Sequence, residues 1–212
     1  MRPLTDATPK ALLPAGGKPV VVRLLERLAE AGFEELVLNH AQLGWMIEAA
    51  LGDGARFGVR IRYSHEPEAL ETAGGIANAM PLLGEAPFLA VNADLHTAFP
   101  FERLRAALSD DALAHLVLVD NPPHHPGGDF ALSDGRVASA GAPMLTFSGI
   151  GVYRPALFAA IARGTRVPLA PLLREAAARS RVTGEHFRGR WLDIGTPERL
   201  AALDAELKAS RA

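Results

Sequence analysis

The stretch Pro87-Phe88-Leu89-Ala90-Val91-Asn92-Ala93-Asp94-Leu95-His96 decides the fold class, because it joins a short apolar run to a carboxylate. Such a run is typical of a strand buried on both faces of a parallel sheet that helices flank. Ligands of open parallel sheets bind outside the carboxyl ends of the strands. Asp94 is therefore predicted to lie at a ligand site, although this stretch alone fits an Asp that only opens the next loop equally well.

Strands and helices alternate ahead of this stretch. Apolar residues at helical spacing predict helices over 20–31 and 43–51, and apolar runs predict strands over 33–40 and 59–63. The alternation predicts an α/β fold with a doubly wound, mainly parallel, Rossmann-like sheet.

The second half of the chain mixes this pattern with a hairpin around Asp134-Gly135. The other elements predicted there are strands over 114–119, 146–153 and 187–193 and helices over 101–108, 157–162, 169–179 and 197–210. We find no internal repeat and no low-complexity linker, so a single domain over residues 1–212 is expected.

Composition excludes several classes of function. The 212 residues carry a net charge of −2 without a basic block, which gives nucleic-acid binding no support. No apolar stretch is long enough to span a bilayer, and the chain contains no cysteine. We expect a cytoplasmic protein that acts on small molecules, and its oligomeric state stays open.

A second carboxylate stands in the same setting as Asp94. The run Arg190-Trp191-Leu192-Asp193-Ile194-Gly195-Thr196-Pro197 reads as a strand, a glycine turn and a helix start with Thr196 as N-cap. Two strand-end carboxylates suit Mg²⁺, which binds one or two carboxylates and shares its other positions with water and phosphates. The alternative is that Asp193 only caps the helix.

Two lysines and a glycine pair offer phosphate contacts. Lys10, between Pro9 and Pro14, is placed to hold a phosphate as a point charge, as is Lys18, although a solvated lysine fits the composition better. Thr72-Ala73-Gly74-Gly75 enters a helix, where backbone can approach a ring or phosphate, and a plain tight turn is the alternative.

Taken in chain order, these motifs resemble those of the sugar-1-phosphate nucleotidyltransferases. The matching pieces span nearly the whole chain: Arg2-Pro3-Leu4-Thr5, Pro9-Lys10-Ala11-Leu12-Leu13-Pro14, Leu70-Glu71-Thr72-Ala73-Gly74-Gly75, Asn92-Ala93-Asp94, Phe147-Ser148-Gly149-Ile150 and Trp191-Leu192-Asp193-Ile194-Gly195-Thr196.

The resemblance implies a role for each matching residue. Asp94 and Asp193 would hold the catalytic Mg²⁺, and Lys10 would contact the nucleotide phosphates. The nucleotide base would lie on the stretch that contains Glu71, Thr72, Gly74 and Gly75. The sugar would face Asn92, Gly128 and Asp129, beside the small hairpin.

The implied reaction joins a nucleoside triphosphate to a sugar 1-phosphate and releases pyrophosphate. Pieces such as Val119-Asp120-Asn121-Pro122 and Gly184-Glu185-His186-Phe187 narrow the resemblance to UTP and N-acetylmuramic acid 1-phosphate. Mannose or glucose 1-phosphate with GTP or dTTP, and a non-catalytic nucleotide-sugar sensor, stay open as alternatives.

The sequence departs from the family at its start. Family members carry a central strand, a glycine-rich loop and a catalytic Arg before Arg-Pro-Leu-Thr, whereas this sequence starts at Met1, at the end of that loop. Missing strand partners would expose polar backbone at about 1–3 kcal/mol for each unpaired group. We expect a start-site error, with a real truncation as the alternative, and we expect the 212-residue form to be poorly stable and inactive.

Overall fold

The computed structural model describes residues 1–210. Twelve strands lie within these residues: β1 Pro14–Ala15, β2 Lys18–Pro19, β3 Glu35–His40, β4 Arg60–His65, β5 Phe88–Val91, β6 Leu95–Thr97, β7 Ala114–Val119, β8 Phe130–Ser133, β9 Arg136–Ala138, β10 Met144–Tyr153, β11 Val182–Phe187 and β12 Trp191–Asp193. Five α-helices accompany them: α1 Val20–Glu30, α2 Gly44–Leu51, α3 Glu71–Leu83, α4 Leu169–Ala178 and α5 Pro197–Ala209.

The chain divides into two compact units. The first combines Met1–Ala69, Asn92–Phe101 and the segment from Arg190 onward, and the second combines Leu70–Val91 with Glu102–Gly189. The expected single domain therefore stays a prediction. No helix within residues 1–210 is both long and apolar enough to cross a membrane.

The second unit is built on a six-stranded sheet in the order β5-β10-β7-β11-β9-β8. β7 is buried along its whole length, as its apolar run, interrupted only by His115, predicts. Leu116 and Leu118 pack in a core with Ile76 of α3 and Leu173 of α4. The expected α/β class is confirmed, but the six-stranded sheet is mixed rather than mainly parallel: β7 and β11 run parallel, whereas β10 pairs antiparallel with β5, β7 and β8.

A β-bulge interrupts the long strand β10 between Phe147 and Ile150, next to Gly149 with its φ of 79°. The buried Ser148 hydroxyl donates to the carbonyl of Val117 over 2.7 Å and accepts from the Ile150 amide over 3.2 Å. The Ser148 hydroxyl thus supplies hydrogen bonds to backbone groups that lose their partners in the neighbouring strand at the bulge.

The first unit holds its own strand pairs and cores. β3 and β4 run parallel over six residue pairs, whereas β6 and β12 run antiparallel. Helix α1 buries Val21 and Leu25 in a cluster with Ile61 of β4. Its first residue, Val20, packs instead with Leu200 and Leu203 of α5. The apolar spacing predicted for 20–31 and 197–210 therefore corresponds to observed helices.

Three details differ from the sequence-based expectations. The strand expected over 187–193 is observed only as β12, Trp191–Asp193. Phe187 ends β11, a strand that was not expected, and Arg188, Gly189 and Arg190 separate the two strands. The helices expected over 101–108 and 157–162 are short 3₁₀ turns, Phe101–Ala106 and Pro155–Phe158.

The third difference concerns β5, which is half-buried rather than buried on both faces. It lies at an edge of the six-stranded sheet, where β10 is its only ladder partner within residues 1–210. An edge position covers one side of a strand only, which explains the exposure.

Candidate active site

The pairing of β6 with β12 brings the two strand-end aspartates to neighbouring positions in the first unit. Asp193 lies opposite Leu95, one residue beyond Asp94. The Ile194 amide donates to the backbone carbonyl of Asp94 over 2.9 Å. The backbones of the two aspartates therefore lie side by side, and their binding of a common metal ion stays a prediction.

Lys10 reaches this place from the N-terminal part of the same unit. It begins a 3₁₀ turn, Lys10–Leu12, and its ammonium donates to Oδ2 of Asp94. Both side chains are about 30% exposed, at 31% for Lys10 and 27% for Asp94. Lys18 instead donates to Glu26 Oε1 over 2.7 Å. The sequence offered both lysines as phosphate contacts, whereas in the structure only Lys10 of the two bonds to Asp94.

Asp193 has a cationic partner of its own, Arg199 of helix α5. Nη1 of Arg199 donates to Oδ2 of Asp193 over 2.8 Å. The helix begins as predicted, since the Thr196 hydroxyl accepts from the Arg199 amide over 3.3 Å and Pro197 is the first helical residue. Each aspartate of the site therefore carries one hydrogen-bonded positive charge.

His96 of β6 lies two residues beyond Asp94. Burial, and then the charge of Arg190, hold the pKa of His96 below its ordinary value. The imidazole is therefore neutral at pH 7 and adds no positive charge beside Asp94.

The predicted base-binding stretch lies in the second unit, where it forms the first turn of α3 rather than a loop before it. The amides of Ala73 and Gly74 both donate to the carbonyl of Val167, over 3.1 and 3.0 Å. A Cβ on Gly74 would lie 2.2 Å from the Thr165 carbonyl oxygen. Close packing of the chain against itself thus accounts for Gly74, and Gly75 is buried in the same turn.

The exposed end of this stretch carries polar groups. Glu71 accepts from Arg166 Nε over 3.0 Å, and Thr72 is exposed. Contact of Glu71, Thr72 and the two glycines with a nucleotide stays a prediction.

Gly128 and Asp129 belong to an ordered loop of the second unit. Asp129 Oδ2 accepts from the Phe147 amide over 2.8 Å, and Oδ1 hydrogen-bonds His125 over 3.1 Å. Gly128 has a φ of 63°, and Asn121 Oδ1 would lie 2.8 Å from a Cβ there. The carboxylate of Asp129 thus ties its loop to β10. Asn92, the other predicted sugar residue, belongs to the first unit and is exposed.

The donor set at Asp94 and Asp193 fits Mg²⁺. Asp193 offers its carboxylate at the end of β12 and Asp94 offers its own in the turn just ahead of β6, and Mg²⁺ needs only one or two protein carboxylates. Within residues 1–210, no cluster of three or more histidine, aspartate or glutamate side chains lies together as a metal site.

Comparisons with known proteins agree with this fold and these motifs. The sequence profile of the family described as nucleotidyl transferase matches residues 1–131. A protein of Neisseria meningitidis serogroup B, N-acetylmuramate alpha-1-phosphate uridylyltransferase, is 51% identical over 97% of this chain and 92% of its own length. One of the same name from Caulobacter vibrioides is 33% identical over 98% of this chain and 91% of its own length. The chain therefore belongs to the nucleotidyl transferase family.

A solved structure shows the same fold. The putative glucose-1-phosphate thymidylyltransferase of Bacillus anthracis, crystallised with a sucrose, superposes with a TM-score of 0.85 at 18% identity. The match covers 98% of this chain and 90% of that one. This match confirms the fold, and the family profile and the two relatives confirm the expected family and enzyme class.

Sequence reasoning missed Arg199 and Asn121. Asn121 donates to the carbonyls of Pro126 and Met144, over 3.0 and 3.1 Å, and so closes the loop that carries Asp129. A signal for Arg199 was present, because a positive side chain in the first turn of a helix opposes the helix dipole and calls for another explanation.

Proposed function

We propose that this protein transfers UMP from UTP to N-acetylmuramic acid 1-phosphate, giving the UDP-sugar and pyrophosphate. The observation that carries the proposal is the β6–β12 register, which sets Asp94 beside Asp193 with Lys10 bonded to Asp94. The names of the two uridylyltransferase relatives support the choice of UTP and of this sugar. The proposal places the enzyme in the cytoplasm, in the recycling of peptidoglycan.

The chemistry needs positioning and charge neutralisation rather than a protein nucleophile. A phosphate oxygen of the sugar 1-phosphate attacks the α-phosphorus of UTP, and the bond from that phosphorus to the bridging oxygen breaks as pyrophosphate leaves. Mg²⁺, held by Asp94 and Asp193, would supply positive charge to the phosphates. The Lys10 ammonium offers three donors, so it can exchange its bond to Asp94 for one to a phosphate oxygen.

The remaining predicted residues take supporting roles. We assign the nucleotide base to the start of α3, at Glu71, Thr72, Gly74 and Gly75. We assign the sugar to Asn92 and to the loop at Gly128 and Asp129. Because both carboxylate oxygens of Asp129 are engaged within the chain, its role in this proposal is to hold the loop in shape.

A substrate panel tests the proposal. Pyrophosphate release is measured with UTP, GTP and dTTP against the 1-phosphates of N-acetylmuramic acid, mannose and glucose. The assay uses the 212-residue chain and the same chain extended by its upstream reading frame. The proposal expects the highest kcat/KM for UTP with N-acetylmuramic acid 1-phosphate, and a preference for another pair would contradict it.

A variant separates catalysis from binding alone. Asp94→Asn removes a carboxylate charge and should abolish pyrophosphate release while thermal unfolding stays unchanged. Asp110→Asn is the matched control, since the Asp110 side chain is fully exposed and pairs only loosely with Arg154, at 3.8 Å. UTP binding without any Mg²⁺-dependent pyrophosphate release in either chain length would favour the non-catalytic sensor.

A further inference from the structure

Arg199 stands at a helix position that does not favour it. It is the third residue of α5, after the N-cap Thr196 and the first two helical residues, Pro197 and Glu198. The N-terminal end of a helix carries a partial positive charge, which favours acidic side chains in the first turn. The helix alone therefore gives no reason for an arginine here.

The guanidinium turns back from α5 onto the end of β12. Nη1 donates to Oδ2 of Asp193 over 2.8 Å, with the two side chains only 22% and 23% exposed. A charge-assisted hydrogen bond of this kind is stronger than one between neutral groups, and partial burial limits its exchange with water. The bond thus restrains the orientation of the Asp193 carboxylate.

Gly195 makes room for this arrangement. A Cβ there would lie 2.0 Å from Nη2 of Arg199 and 2.8 Å from Oδ1 of Asp193. Gly195 is not among the glycines with positive φ, so backbone conformation does not call for glycine. The space that glycine leaves is the space into which the guanidinium packs.

We propose that Arg199 is a positioning residue that holds Asp193 in the orientation that binds the divalent cation. This inference rests on the metal role given to Asp193 under the proposed function. Carboxylates that bind metals are themselves oriented by hydrogen-bonding partners, and removing such a partner weakens metal binding by about 10–100-fold. The positive guanidinium also repels a cation. If replacing Arg199 weakens divalent-cation binding, its positioning of Asp193 dominates; if replacing it strengthens binding, the repulsion dominates.

Binding of Mn²⁺ alone, followed by the electron spin resonance signal of the free ion, tests the inference without turnover. Arg199→Gln should weaken Mn²⁺ binding by about 10–100-fold. Arg199→Lys keeps the charge but loses the planar guanidinium donors. Its Mn²⁺ affinity should therefore lie between those of the unsubstituted protein and Arg199→Gln. In turnover assays, the Mg²⁺ concentration for half-activation should rise while the KM for the sugar phosphate stays unchanged.

The matched control is Arg60→Gln. Arg60 belongs to the same unit and pairs through Nη2 with Glu35 Oε1 over 2.9 Å, and both side chains are exposed, so its loss should leave Mn²⁺ binding unchanged. If Arg199→Gln fails to fold, Arg199→Lys decides, and Mn²⁺ affinity equal to that of the unsubstituted protein overturns the inference.

Asp193→Asn separates the inference from the proposed function. Weak Mn²⁺ binding in Asp193→Asn, together with unchanged or tighter binding in Arg199→Gln, overturns the role of Arg199 and leaves the metal role of Asp193 standing. Full Mn²⁺ binding in Asp193→Asn overturns both.

Discussion

Two helices of this chain begin beside a glycine, and the two glycines meet different neighbours. At the start of α3, Gly74 faces the backbone carbonyl of Thr165, 2.2 Å from where a Cβ would stand. Ahead of α5, Gly195 faces the end of the Arg199 side chain, at 2.0 Å, and the carboxylate of Asp193. One glycine thus allows backbone to pack, and the other allows an ion pair to form.

The difference shows what a glycine near a helix start can mean. The backbone at Thr165 cannot move without disturbing the bonds from Ala73 and Gly74 to Val167, so Gly74 serves stability. A guanidinium can swing aside at low cost, so Gly195 serves the geometry of the candidate site. The following substitutions test this division, from the largest expected effect to the smallest.

Asp193→Asn removes the carboxylate charge to which Arg199 of α5 donates. Turnover should fall by more than about 100-fold relative to the unsubstituted enzyme of the same length. Removing a carboxylate that binds the metal should cost more activity than removing the hydrogen-bonding partner that orients it. Steady-state pyrophosphate release measures the effect, with Asp110→Asn as control. Activity within a factor of two of the unsubstituted enzyme would remove Asp193 from the site.

Gly74→Ala should lower the free energy of unfolding by about 1–3 kcal/mol, because the new methyl overlaps backbone that has no room to retreat. Urea unfolding followed by circular dichroism measures the loss. Gly127→Ala is the control, since nothing lies within 4 Å of a Cβ there. Equal stability of the two variants would show that the 165–167 segment yields easily, and the contrast with Gly195 would then fail.

Gly195→Ala should show the reverse pattern. Its methyl displaces the guanidinium from Asp193, so Mn²⁺ affinity should fall by about tenfold, within the range for losing a ligand's partner. The free energy of unfolding should change by less than about 1 kcal/mol, since the displaced group is the end of a flexible side chain. A large loss of stability with unchanged Mn²⁺ affinity would assign Gly195 the same role as Gly74.

The sequence predicts the parts of the fold that rest on local pattern. β7 follows from its apolar run, in which His115 is the one polar residue, and the Asp134-Gly135 turn, with φ of 48° and 74°, follows from its residue types. β11 escaped prediction because its polar residues find partners far along the chain. Thr183 bonds to Nδ1 of His115 over 2.9 Å, and Glu185 pairs with Arg103.

The candidate site divides in the same way. A carboxylate after a strand is visible in the sequence, so Asp94 and Asp193 were expected. The register that makes them neighbours depends on the pairing of β6 with β12, about 100 residues apart along the chain. The bond from Arg199 to Asp193 depends in turn on how the side chain folds back over Gly195, which no residue pattern encodes.

Arg166→Gln should have the smallest effect. Arg166 pairs with Glu71 at the start of α3, as Arg199 pairs with Asp193 at the start of α5, but the Arg166 and Glu71 side chains are 71% and 40% exposed. Water and salt screen such a pair, so its loss should change the free energy of unfolding by less than about 1 kcal/mol. Mn²⁺ affinity should not change, because Glu71 has no part in the proposed metal site.

Parallel titrations of Arg166→Gln and Arg199→Gln therefore compare one substitution at an exposed and at a partly buried ion pair. If Arg166→Gln weakened Mn²⁺ binding as much as Arg199→Gln, the effect would reflect a general loss of positive charge. The orientation of the Asp193 carboxylate would then not account for the change in Mn²⁺ affinity. The starts of α3 and α5 would differ only in how tightly their glycines are packed.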